Sequence, residues 1–104
     1  MREFLLRAVG AETTIDYGAP HAQLKPIHTP SRPIAGWGCH RIEVEGEQIS
    51  FSDEPPGIQV SFVTGKLSPL RESQIMSEIA QNYSQAIGHQ VEIVDLGDPN
   101  RPDC

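Results

Sequence analysis

Residues 68–88 read SPLRESQIMSEIAQNYSQAIG, and the fold class turns on this stretch. Ser68 is a good N-cap, and Pro69 suits the first helical position, where no amide donor is needed. Ile75, Met76, Ile79, Ala80, Tyr83 and Ile87 recur at spacings of three and four and make one apolar stripe. Gln74, Ser77, Glu78, Gln81, Asn82 and Gln85 cover the other face, and Gly88 is the expected left-handed stop. The spacing predicts one helix.

On both sides of that helix the period falls to two, the mark of strands. After it, Val94 and Leu96 lie on one side of residues 91–96, with Val91 and Ile93 on the other. Apolar residues on both faces predict an interior strand, or one covered by the helix. Before it, Ile58, Val60 and Phe62 share one face of a strand that Gly65 ends. The turn Asp53-Glu54-Pro55-Pro56-Gly57 precedes that strand, because its prolines cannot donate to a ladder.

Residues 41–52 read as a hairpin around a Gly46-Glu47 loop, with Val44 facing Ile49 and Ile42 facing Phe51. Its wet face carries Glu43 opposite Ser50 and Glu45 opposite Gln48. Residues 3–17 read the same way around Gly10-Ala11, with Phe4 facing Tyr17, Leu6 facing Ile15 and Ala8 facing Thr13.

The expected fold is α+β and two-layered: a mainly antiparallel sheet with a single helix on one face. Its order is β-hairpin, long loop, three strands, helix, strand. The 104 residues make one domain, 1–96, with an irregular loop at 18–40 and a flexible tail at 97–104.

A net charge of −6 and a pI near 5.0 argue against nucleic acid and anionic lipid as partners. They suit solubility, or a basic protein partner. No apolar run reaches the ~18 residues of a membrane span, and Glu3 and Arg7 disqualify the N-terminus as a secretory signal. The expected compartment is the cytoplasm. Cys39 and Cys104 are too few for a disulfide framework.

The loop at 18–40 is the least regular part of the chain. It holds Pro20, Pro26, Pro30 and Pro33, and the sole tryptophan, Trp37, sits between two glycines. From Tyr17 to Ile42 there is no acid, yet Lys25, Arg32, Arg41, His21, His28 and His40 are all present. Glu43 to Glu54 then carries five acids and no base. One reading makes the loop a cationic, aromatic contact surface, since Arg and Trp anchor interfaces. The other makes it a connector whose charges fold back onto the acidic hairpin.

His21, His28, Cys39 and His40 are soft-metal ligands within 20 residues, but their spacing matches no finger class. Cys39 beside an imidazole is also a candidate nucleophile–base pair. The carboxylates at Asp53-Glu54 and at Glu43 and Glu45 lack the desolvation that acid–base catalysis needs. Gly36-Trp37-Gly38 leads into a strand, so it forms no phosphate cradle.

Ile42-Glu43-Val44-Glu45-Gly46, Glu78-Ile79-Ala80-Gln81-Asn82 and Gly88-His89-Gln90-Val91-Glu92-Ile93 resemble the small acidic α+β immunity proteins that accompany bacterial polymorphic toxins. About half the chain is involved. The resemblance implies a non-catalytic protein that blocks a toxin by binding it.

The expected function is therefore a non-enzymatic protein-binding module without a cofactor. Its partner surface would be Arg32, Trp37 and Arg41 on the loop with Glu43, Glu45 and Glu47 on the hairpin. Two alternatives stand beside it. One is a small metal- or cysteine-dependent enzyme using His21, His28, Cys39 and His40. The other is a homodimer built through an edge strand.

Overall fold

A computed structural model describes residues 2–36, 40–54 and 57–97. The strands are β1 (Arg2–Ala8), β2 (Arg32–Pro33), β3 (His40–Val44), β4 (Glu47–Glu54), β5 (Gly57–Phe62) and β6 (Val91–Gly97). The helices are α1 (Pro20–Gln23) and α2 (Pro69–Ile87). All six strands form one antiparallel sheet in the order β2-β3-β4-β5-β1-β6. The α+β class, the antiparallel sheet and the main helix across one face are as the sequence led us to expect. The short α1 is an addition.

Helix α2 starts where Ser68 Oγ accepts from the Arg71 amide at 3.1 Å, and it stops at Gly88, whose φ is 71°. Its stripe of Ile75, Met76, Ile79, Ala80 and Tyr83 is buried. It packs on Phe4 and Leu6 of β1, Ile42 and Val44 of β3, Ile49 and Phe51 of β4, and Ile58, Val60 and Phe62 of β5 in one core. That alternation leaves the second face of the sheet without a helix among the described residues, and it carries the half-buried Arg41, Glu43, Gln48, Ser50, Gln59 and Ser61.

Three expectations require correction. The hairpin at 3–17 does not form: β1 pairs with β5 and β6, strands from the second half of the sequence. Ile15 still enters the core, at 3% exposure, but from a loop. Tyr17 does not face Phe4; it is 63% exposed and its hydroxyl donates to Asp53. Alternating apolar residues supply a face but name no partner, and β1 finds larger apolar neighbours in β5.

The hairpin at 41–52 does form, in another register. Ile42 faces Ile49, Val44 faces Glu47 and His40 faces Phe51. The loop is Glu45-Gly46, with φ of 53° and 82°, not Gly46-Glu47. Two positive φ angles match the twist of a two-residue hairpin, and only the second position here is glycine. The turn moves back by one residue, so Glu47 becomes the first residue of β4 and points inward.

Third, β6 is not interior. It is the last strand of the sheet, and Ile93, Val94 and Leu96 are 39%, 38% and 48% exposed.

The loop at 18–40 is tied down over the polar side of α2. Glu78 Oε1 accepts from the His28 and Thr29 amides at 2.9 and 2.7 Å, and Asn82 Nδ2 donates to the Ala22 and Gln23 carbonyls. Leu24 from this loop is fully buried. Helix α2 therefore lies between sheet and loop. Trp37, Cys39 and the tail from residue 98 lie outside the described residues, while Gly97, expected in that tail, ends β6.

Candidate functional site

The expected partner surface divides in two. Arg32, Glu43 and Glu45 do come together, around a shallow hollow of about 260 Å³ that Pro30 and Ser31 complete. Their charges are mutually satisfied, however. Arg32 donates to Glu43 Oε1 through Nε at 3.0 Å and Nη2 at 2.8 Å. Arg71 from α2 donates to both oxygens of Glu45, at 2.8 and 2.6 Å. That hydrogen-bonded guanidinium holds the Glu45 carboxyl below its usual range. It also ties down a non-glycine residue in the left-handed region. Arg41 lies on the second face of the sheet, packed under Gly36, with Nη1 on Gln48 Oε1 at 2.9 Å. Here the cationic loop folds back onto the acidic hairpin.

Glu47, expected on the wet face, is fully buried and belongs to no surface. Its Oε2 accepts from the Gln48 amide at 3.0 Å, the Thr64 amide at 2.7 Å and the Thr64 hydroxyl. Its Oε1 accepts from the Lys66 amide at 3.3 Å. The carboxylate closes the connection between β5 and α2.

The histidines also separate. His21 of α1 and His40 of β3 bring their rings to 5.7 Å, and His40 stacks on Phe51 at 5.5 Å. His21 Nδ1 and His40 Nε2 are buried without a hydrogen bond. His28 is exposed. No group of three or more His, Cys, Asp or Glu able to hold a metal occurs among the described residues.

Burial, and then the neighbouring His21, push the His40 pKa below 6.5, while a backbone hydrogen bond to Leu24 opposes them. The folded state thus prefers the neutral ring, and the unfolded chain takes up the proton first. The stability that His40 contributes is complete above pH 6.5 and is lost as pH falls through the lower folded value. Thermal melts of the wild type should therefore drop more steeply below pH 6.5 than those of His40→Gln. Parallel curves would contradict this assignment.

The unspent negative charge sits elsewhere. Among the described residues, Glu43, Glu45, Glu72, Glu92 and Asp95 all lie within ion-pair distance of an arginine. Within the same set, Glu3, Glu47 and Glu78 have no ion pair but are held by hydrogen bonds from Gln59, from Gln48, Thr64 and Lys66, and from His28 and Thr29. Glu12, Asp16, Asp53 and Glu54 also have no ion pair there. These four come from two segments: the loop after β1 and the end of β4.

Glu12, Asp53 and Glu54, with Arg7, Thr13 and Thr14, line a cleft of about 380 Å³. Arg7, the one cation among the described lining residues, is engaged by Glu92 at 3.4 Å. The wall is held in place. Tyr83 of α2 donates its hydroxyl proton to the Thr14 carbonyl at 2.9 Å and accepts from the Thr14 amide at 3.2 Å. Thr13 Oγ1 accepts from the Ala8 amide at 2.7 Å. Asp53 accepts from the Ile15 amide at 3.2 Å and from the Tyr17 hydroxyl. Such a cleft can receive a cationic side chain without rearranging.

Sequence reasoning noted Asp53 and Glu54 but not their junction with Glu12. The two segments meet only because β1 is inserted beside β5. The comparisons are silent on identity: no family model, curated protein or solved structure matches the chain. No helix among the described residues is long and apolar enough to cross a membrane.

Proposed function

We propose that the protein is a non-enzymatic, cytoplasmic binding module that docks a basic surface of a protein partner, acting as an immunity-type inhibitor. The observation that supports this reading is the cleft lined by Glu12, Asp53 and Glu54, where the described lining holds one cation, Arg7, and that is engaged by Glu92. The hairpin acids suit the role less well, since a partner would have to displace Arg32 and Arg71 from them. An acid-lined cleft accelerates encounter with a basic patch and admits one lysine or arginine from it.

The test uses a short arginine-rich peptide as the basic probe, followed by amide shifts and titration calorimetry. Shifts should centre on Thr13, Thr14 and Asp53 and weaken as salt rises. Glu12→Gln with Glu54→Gln should weaken binding roughly tenfold, and Glu43→Gln should not. Shifts spread evenly over the surface, or binding indifferent to salt, would overturn the reading.

The enzyme reading has one observation in its favour, the approach of His21 to His40. Stoichiometric zinc in the purified protein, lost on Cys39→Ser, would replace the binding proposal with it.

A further inference from the structure

The two edges of the sheet are unequal. The β2 edge is two residues long and contains Pro33, both of which discourage further pairing. The β6 edge is seven residues long and contains neither proline nor lysine. Among the described residues, four of the six exposed large apolar side chains lie on it or beside it: Ile93, Val94 and Leu96, and Val9, whose amide donates to the Gln90 carbonyl at 2.7 Å.

That last bond fixes the direction of the edge. Antiparallel ladders alternate bonded and non-bonded pairs. If 9 and 90 are bonded, so are 7 with 92 and 5 with 94. The amides and carbonyls of Val91, Ile93 and Asp95 therefore point away from β1, out of the sheet. They are free to bond a further strand.

We infer that β6 pairs antiparallel with β6 of a second copy of this chain about a two-fold axis at Ile93, joining two sheets into one of twelve strands. Charge selects this occupant. A register centred on Ile93 sets Ile93 against its own copy, Val91 against Asp95, and Glu92 against Val94. No acid meets an acid. Within each protomer Glu92 pairs with Arg7, and Asp95 with Arg2, a guanidinium that Glu72 also approaches at 3.7 Å, so each acid of β6 already has a cation beside it even in a chain of net charge −6. The regular pairing of β6 with β1 runs through 91–95 and breaks beyond Asp95, where the register shifts. The twofold ladder uses that regular length in full. This inference does not rest on the acidic cleft.

The experiment is analytical ultracentrifugation of the whole chain over a concentration series, with three variants. The wild type should approach twice 11.4 kDa with rising concentration. Ile93→Pro removes only an outward amide, so it leaves the β1 ladder intact while blocking the seam. Ile93→Lys places two cations on the axis. Both should weaken dimerisation at least roughly tenfold with an unchanged circular dichroism spectrum. Leu70→Lys, which alters an exposed leucine on α2, should dimerise like the wild type. A wild type monomeric throughout, a dimer that survives both Ile93 variants, or one lost in Leu70→Lys would overturn the inference.

Discussion

Glu47→Ala should lower the unfolding free energy by about 3–4 kcal/mol, a large part of the stability of a domain this size. Four donors converge on this one carboxylate: the amides of Gln48, Thr64 and Lys66 and the Thr64 hydroxyl. Bonds to a charged acceptor contribute about 1.5–3 kcal/mol each, and truncation strands buried donors besides. The load falls unevenly on the two oxygens. Oε2 takes three of the donors, and Oε1 takes only the long contact from Lys66. Glu47→Gln can keep its oxygen at the Oε2 position and lose only the weakest bond, so it should cost about 1–2 kcal/mol. Urea unfolding measures both. An alanine variant within about 0.5 kcal/mol of the wild type would show that this carboxylate does not hold the β5–α2 connection.

Gly57→Ala should cost about 2–4 kcal/mol for a purely steric reason. A Cβ at this position would stand 2.4 Å from the Leu6 carbonyl oxygen and 2.9 Å from Arg7 Cγ. The arginine side chain can move, but the Leu6 backbone cannot, because β1 is bonded to strands on both sides. Relief requires β1 and β5 to separate at the rim of the acidic cleft. Gly10→Ala is the matched comparison. Its Cβ would meet nothing within 4 Å, but its φ is 75°, so it should cost only about 1 kcal/mol. Equal losses at the two positions would refute the steric account.

The elements that were legible in the sequence are those whose signals are local. Ser68, Pro69, the stripe from Ile75 to Tyr83 and Gly88 bound α2 as observed. Ile58, Val60 and Phe62 share one buried face as read. What depended on distant partners was not legible. The alternation of Phe4, Leu6 and Ala8 is real, but it cannot say that β5 rather than residues 13–17 lies opposite. Val91, Ile93, Val94 and Leu96 look like a buried strand, yet their position in the sheet order leaves them at its edge.

The hairpin error shows how small a local ambiguity suffices. Gly46 fits the first position of one tight turn and the second of another. Choosing the first misplaces the register by two residues and turns Glu47 from a buried linchpin into a presumed contact residue. The candidate cleft was legible only as Asp53 and Glu54. Glu12 joins them through tertiary structure, and a sequence carries no sign of such a meeting.

The position of β1 has a consequence for biogenesis. Its two neighbours span residues 57–62 and 91–97, both made after it, so β1 can pair with β5 first but keeps one open edge until β6 is available. Before β1 pairs, the β3–β4–β5 meander can assemble alone, with a vacant slot beside Ile58 and Val60. Chains stalled before residue 91 should accordingly lack the β6 partner and leave the far edge of β1 unpaired, and the sheet is completed only when residues 91–97 join it.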